Sequence, residues 1–392
     1  MQKIIKKIIK TEFVFILAVV TVWAIGIYAI SYWGSKIILV PGDAPNSIYT
    51  SRFAIIDHWY WFDAGFYLGI DTTGYKDTPP PDSPWGKNYV RAAFFPAFPL
   101  VGKILSYPLK FLSCDLKQAL LITNFLFTVG ASYFIYKFAY LFKKDKEYAF
   151  KTLVYFLIFP FSFFLLAPYS EASFVFFSAA IFYFLFQRKY LFAALMGIGA
   201  TAARFSGIIF PLIILLFYLE DNNWRVKKIN YKIVLYSLIP LSGIIAYMIY
   251  QKFVFNDYFY FFKMQQIWRS QMGINFIRAL WHHLKEVFSY QGFNYNNINE
   301  IGSTVLFFIL GIMSWVKIKY KTLAIFIFIS LLIPLTTGAF VSINRIVVPI
   351  IPAFLVLGLG YGNKIFDFAY MTLAILFLAL FTILFTHAIW VG

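Results

Sequence analysis

One cysteine, Cys114, stands in 392 residues. That excludes an intramolecular disulfide framework and a cysteine-rich metal site. Charge is scarce too, at 13% of residues against roughly 25% in average soluble domains. A chain that is 61% hydrophobic, with mean hydropathy +0.73, belongs in lipid rather than in water. Zinc-type spacing is missing. His282 and His283 are adjacent and so cannot share a helical face as two ligands should, and Asp57-His58 is no better. No metal site is indicated and no cofactor is required, although clustered acids are compatible with a divalent ion. There is no internal repeat and no stretch that reads as a soluble domain. The 49 Phe accompany abundant Ile, Lys, Tyr and Asn, a mix that genomic base bias explains without function.

The net charge of +17 suggests nucleic acid only until its placement is considered. More than half of the 34 Lys and Arg sit in short segments between apolar runs: Lys3 to Lys10, Lys143 to Lys151, Arg188-Lys189, Arg225 to Lys232, Lys317 to Lys321, and Lys364. Positive-inside bias puts these segments in the cytoplasm, so topology accounts for the basic charge and no nucleic-acid partner is needed. The apolar stretch Phe13 to Trp33 is long enough to span, at roughly 20 residues per crossing. It lacks an obvious small-residue cleavage site and reads as a retained anchor.

Keeping the basic loops inside predicts an all-α polytopic membrane protein of about 11 transmembrane helices. They fall near 12–33, 117–141, 152–168, 171–187, 190–202, 206–219, 233–252, 302–316, 322–340, 346–361 and 365–390, with 190–202 and 302–316 short for a crossing. The N-terminus is then cytoplasmic. Residues 1–392 form a single membrane domain with two large outer segments, 34–116 and 253–301, expected to lie as interfacial helices. Most of the 17 acids fall on that side: Asp43, Asp57, Asp63, Asp71, Asp77, Asp82, Asp115, Glu171, Asp257, Glu286 and Glu300. Chemistry that uses carboxylates would be extracytoplasmic, where no nucleotide sugar is present. A sugar donor there must be lipid-linked.

The densest polar feature is Asp57 to Asp77, four carboxylates among Trp, Tyr and Phe. On a helix, Trp59, Asp63, Phe66 and Tyr67 would share one face. Aromatic faces meet the C–H faces of a sugar and carboxylates meet its hydroxyls, so the loop suits a glycan. An interfacial aromatic belt is the plainer explanation, but such belts seldom hold four acids so close together. Phe94-Phe95-Pro96-Ala97-Phe98-Pro99 breaks helix before the next crossing and by itself carries no chemistry. Polar residues at membrane edges include Glu171 after Ala167-Pro168-Tyr169-Ser170, Arg204 between two short helices, and Asn344-Arg345. Ionisable residues at such depth are functional candidates, although a lone Arg can equally snorkel to headgroups. In Gln265-Gln266-Ile267-Trp268-Arg269 the amides can bracket hydroxyls and Trp268 can stack on a sugar, unless the segment is simply an amphipathic surface helix.

In combination these motifs resemble the GPI mannosyltransferase II (PIG-V-like) family of the GT-C glycosyltransferase class. Phe62-Asp63-Ala64 is similar to its W-D-A motif, and Tyr67 to Tyr75 to Y-x-x-I-x-x-x-G-Y. Phe94 to Pro99 is similar to F-F-P-x-x-P, Pro168 to Glu171 to P-Y-(S/T)-E, and Arg204 with Gly207 to R-x-x-G. Gln266 to Arg269 is similar to Q-x-W-x-R, and Arg345 to a late outer Arg. The matches run in order from about 57 to 352. Phe62 departs from the family's Trp, and Ile346 stands where Tyr is expected.

The resemblance implies a GT-C-like bundle that moves mannose from a polyprenyl- or dolichyl-phosphate donor to a glycolipid or glycan acceptor, with inversion. The membrane would be the plasma membrane in a prokaryote and the endoplasmic reticulum in a eukaryote. A phosphate leaving group departs without protonation, so one carboxylate base suffices where a glycosidase needs two carboxyls. Asp63 is the expected base. Arg204, Arg269 and Arg345 are expected at the donor phosphate, and Asp57, Trp61, Tyr67, Glu171, Gln266 and Trp268 at the sugar or acceptor. The alternatives are a flippase or transporter of lipid-linked sugars and a glycan ligase or polymerase. A transporter predicts polar residues lining a midplane cavity, usually with inverted repeats. A ligase predicts Arg in a large outer loop.

Overall fold

The computed structural model describes residues 2–37, 54–76, 89–225, 230–267, 281, 285, 295–335 and 342–392. The protein is an all-α, multi-pass integral membrane protein, with no strand among the described residues. In chain order the helices are α1 (Gln2–Ile37), α2 (Ala54–Asp57), α3 (Asp63–Thr73), α4 (Ala97–Leu109), α5 (Leu116–Lys143), α6 (Lys146–Leu157), α7 (Glu171–Phe186), α8 (Tyr190–Ala203) and α9 (Phe210–Asp221). They continue with α10 (Tyr231–Leu238), α11 (Leu241–Phe255), α12 (Tyr260–Gln265), α13 (Tyr295–Lys317), α14 (Lys321–Leu335), α15 (Ile343–Ile346), α16 (Ile351–Gly358) and α17 (Lys364–Thr386).

Five stretches are long and apolar enough to cross a membrane: Thr11–Ile37, Leu116–Lys143, Tyr231–Phe255, Ile298–Lys317 and Lys364–Thr386. Each of the eleven expected crossings contains helix, but several differ from expectation. The 152–168 crossing stops at Leu157, because Pro160 disfavours helix ahead of it. Residues 159–170 continue as non-helical chain with one 3-10 turn, Ser162–Leu165, almost wholly buried in protein, the setting in which irregular backbone is tolerated at membrane depth. The 346–361 crossing is the eight-residue α16, apolar all round and buried on every side. The 302–316 crossing begins earlier, as the 23-residue α13. Between α10 and α11, Pro240 interrupts the helix, and Gly197 of α8 packs against its ring.

The core is the α5–α6–α7 layer with α16 against it, rich in aromatic pairs such as Phe138–Phe182 and Phe156–Phe354. α1 and α17 flank it, with Val22, Ile25, Ile365 and Phe368 turned outward. Rings join the basic loops at one end of the bundle. Phe142 contacts Phe186 and Tyr148, Tyr148 contacts Tyr361, and Phe186 contacts Tyr320. Arg188 there donates to Asp221 and to the Tyr320 hydroxyl, both at 2.9 Å. α7 starts at the other end, about 24 Å away at 1.5 Å per residue, and its first residue is Glu171.

Candidate active site

The first outer segment begins with a turn. Trp59 and Tyr60 precede α3 and are buried, Trp59 against Tyr28 and Phe385. Helix starts only at Asp63, so Trp59 does not share the face of Asp63, Phe66 and Tyr67 that a continuous helix would give it. An acid in the first turn suits the positive end of the helix dipole. Phe62, just before it, takes φ 53° and ψ −119°, a conformation costing a bulky residue on the order of 1–3 kcal/mol and commonest at functional sites. At the other end Gly74, with φ 88°, bonds back to the Gly69 and Ile70 carbonyls. Arg91 donates to Gly69 O and Gly74 O (both 3.2 Å) and to Thr73 Oγ1 (2.6 Å), fixing that terminus.

The Pro168-Tyr169-Ser170-Glu171 turn is held from within the bundle. Asn124, fully buried in α5, donates to the Tyr169 carbonyl at 3.0 Å and to the Ala167 carbonyl. The Tyr169 hydroxyl donates to Trp61 O at 3.0 Å, tying the turn to the first outer segment. Phe94-Phe95 is anchored likewise. Tyr75 and Tyr247 donate to Phe94 O at 3.0 and 3.1 Å, and Gln251 donates to Ala92 O at 3.0 Å. Gln251 also accepts the Phe261 amide at 2.6 Å, which positions α12.

These segments enclose a cavity of about 470 Å³. Phe62, Asp63, Phe66 and Tyr67 of the first outer segment line it, with Phe94 and Phe95, then Ser170, Glu171 and Phe174 of the α7 entry. Arg204 and Ser206, Gln265, Ser330 and Pro334 of α14, Ser342, Arg345, Ile346, Pro349 and Trp390 complete the wall, among others. Phe66 stacks on Phe94 with ring centres 4.8 Å apart.

Two carboxylates and two guanidiniums interlock at this cavity. Arg204 Nη1 lies 2.8 Å from Glu171 Oε1, and Arg345 Nε lies 3.6 Å from the same oxygen. Arg345 Nη1 donates to Asp63 Oδ2. The Arg345 guanidinium also sits 5.5 Å from the Tyr169 ring centre and 5.3 Å from that of Trp390, within cation–π range of both. The Glu171 side chain is 1% exposed and that of Asp63 21%. Burial, with Glu171 next, pushes the Tyr67 phenol up, so it stays protonated and able to donate.

Of the residues expected from sequence, Asp63, Tyr67, Glu171, Arg204 and Arg345 meet at the cavity wall. Asp57 does not; it pairs with Lys117 at 2.6 Å. Trp61 does not line the cavity either, and its indole donates to Thr386 O at 3.2 Å. Gln266 is exposed, and its neighbour Gln265 takes the wall position, because the short helix α12 turns position 265 inward. Trp268 and Arg269 lie outside the described residues, as do Asp77 and the 79–81 prolines. Among the described residues no group of three or more His, Cys, Asp or Glu is placed to hold a metal ion. Phe94, Phe95 and Trp390 are additions: the first two were visible as a motif with no chemistry attached, and Trp390 left no signal. Asn124 was legible in principle, as an amide within an apolar helix.

The chain matches no protein-family model and no curated protein sequence. Among solved structures it is similar to the oligosaccharyltransferase of Archaeoglobus fulgidus in complex with Zn and sulfate. Identity is 15% and TM-score 0.47, over 96% of this chain and 53% of that one. It is also similar to the same enzyme tethered to an acceptor peptide containing the NVT sequon, at 11% identity and TM-score 0.45, over 94% and 55%. The chain spans about half the length of these structures, a distant likeness in helix arrangement that says nothing of chemistry.

Proposed function

We propose that this protein is an extracytoplasmic glycosyltransferase of the GT-C type that takes a sugar from a polyprenyl-phosphate donor. The observation that carries the reading is the cluster of Asp63, Arg345, Glu171 and Arg204 at the wall of an aromatic cavity. It lies at the opposite end of α7 from the basic loops, which positive-inside bias assigns to the cytoplasm.

The parts suit a single displacement. Asp63 takes the proton of the acceptor hydroxyl as that oxygen bonds to the anomeric carbon. The bond from that carbon to the phosphate oxygen breaks, and the electron pair leaves with the phosphate. Arg345 and Arg204 stabilise the charge that grows there. Phe66 and Phe94 offer ring faces, while Tyr67, Ser170 and Gln265 offer donors and acceptors for sugar hydroxyls. Attack opposite the leaving group inverts the anomeric centre. Mannose is the sugar implied by the motifs' resemblance to the GPI mannosyltransferase II family, with a glycolipid or glycan as acceptor.

The test is a transfer assay with purified protein, a panel of polyprenyl-phosphate sugars and membrane lipid extract. Wild type is expected to incorporate sugar. Asp63→Asn is expected to lose between about a hundredfold and ten-thousandfold of the rate, the usual worth of a general base, while remaining folded. No turnover with any donor, in a well-folded protein, would sink the enzyme reading in favour of transport. Full turnover in Asp63→Asn would leave the enzyme but remove its base.

A further inference from the structure

The base assigned above is not free. Asp63 Oδ2 is bonded to Arg345 Nη1, which fixes the direction of the carboxylate and leaves only Oδ1 for an incoming hydroxyl. The same guanidinium is the group placed to receive the donor phosphate. One cation therefore faces two anions, and one must yield.

The surroundings decide which. Arg345 lies against the Tyr169 and Trp390 rings, and its Nε is 3.6 Å from Glu171. Glu171 is buried and bonded to Arg204, so leaving its partners would strand a charge in a poorly hydrated place. Asp63 is the more exposed of the two acids, and its carboxylate already lines the cavity. It opens α3 directly after Phe62, whose backbone is strained, and strained positions are where a segment has a second conformation near at hand. The donor phosphodiester presents two non-bridging oxygens that Arg can take in paired, charge-assisted hydrogen bonds, where Asp63 makes one.

We propose that Arg345 is a donor-operated latch on Asp63. Without donor, Arg345 holds the carboxylate; a lipid-borne phosphate replaces Asp63 on Arg345 and frees the carboxylate beside the acceptor position. The base is then released only when a donor is seated, which places activation of the acceptor after donor binding. After transfer the polyprenyl phosphate departs, Asp63 passes its proton to water entering the cavity, and the carboxylate returns to Arg345. This inference rests on the function proposed above.

The experiment measures binding of a short-chain polyprenyl-phosphate mannose to detergent-purified wild type, Asp63→Asn, Asp63→Ala and Arg345→Ala, with inorganic phosphate as competitor. Asp63→Asn removes the competing anion and leaves the cavity's shape almost unchanged. It is expected to bind about tenfold or more tightly than wild type, with Asp63→Ala in the same direction should the Asn variant fold poorly. Arg345→Ala is expected to bind weakest. Weak competition by inorganic phosphate would assign the site to the lipid-borne form. Equal or weaker binding by both Asp63 variants, with wild type binding measurably, overturns the latch and leaves the glycosyltransferase reading intact. Absence of binding in every folded variant overturns both.

Discussion

Asp63 and Arg345 stand 282 positions apart in the chain, yet each completes the other's surroundings. The pairing cannot be read from the residues near either of them in the chain. Arg345 gains its orientation from Tyr169 and Trp390, and Glu171 shares one oxygen between two guanidiniums. Asp71, in the same helix as Asp63, is a contrasting carboxylate. It is buried, its Oδ2 has no hydrogen-bond partner among the described residues, and its side chain does not line the cavity. Burial pushes it up to about 7, against a smaller pull from Lys103. The folded chain therefore keeps a proton that the unfolded chain releases between about pH 4 and pH 7. The unfolded form binds fewer protons there, so stability falls as pH rises through that window and is level above it. Asp71→Asn is expected to raise the melting temperature in detergent at pH 8 and to match wild type near pH 4. Parallel melting profiles for the two proteins across that range would contradict the burial argument.

At the scale of elements, the site depends on where helices stop. α8 ends at Ala203, Arg204 is extended, and the 3-10 turn Phe205–Ile209 leads into α9. That turn lies so close to α8 that a Cβ on Gly207 would stand 2.6 Å from the Ala200 carbonyl oxygen and 2.7 Å from the Thr201 nitrogen. These are backbone atoms, so one segment must move. Gly207→Ala is expected to cost about 1–3 kcal/mol, as overpacking does, and to lower turnover by shifting Arg204. Gly26→Ala in α1, where nothing lies within 4 Å, is the tolerated control. Equal melting temperature and activity in the two variants would show that the Arg204 turn accommodates the change. The same scale explains Phe94-Phe95-Pro96. Pro96 stands at the N-cap of α4, Phe94 is extended after the 3-10 turn Val90–Ala93, and the Phe94 and Phe95 side chains line the cavity.

For the whole molecule, the basic loops gather at one end of α7 and the four-ion cluster at the other. The native Cys114 reports on sidedness. It sits in the turn between α4 and α5, partly exposed, at the end of α5 opposite the basic 143–146 loop. A membrane-impermeant maleimide is expected to label it in intact cells or spheroplasts. Labelling only after permeabilisation would reverse the orientation and place the cavity on the cytoplasmic side.

Local chemistry determined much of this protein. Apolar run lengths set its membrane class and the positions of eleven helical segments, because a crossing is a property of consecutive residues. Prolines and basic clusters marked the breaks and loops for the same reason. The charged residues at Asp63, Glu171, Arg204 and Arg345 stood out because charge is rare in an apolar chain. Tertiary structure decided which of the candidates meet. Asp57 went to Lys117 and Trp61 to the Thr386 carbonyl, and both choices depend on neighbours remote in the chain. Gln265 rather than Gln266 faces the cavity, since helix phase in a six-residue segment follows its packing. The pairing of Asp63 with Arg345, and the Trp390 ring that holds the latter, exist only where the first outer segment, the α7 entry and the chain after α17 converge.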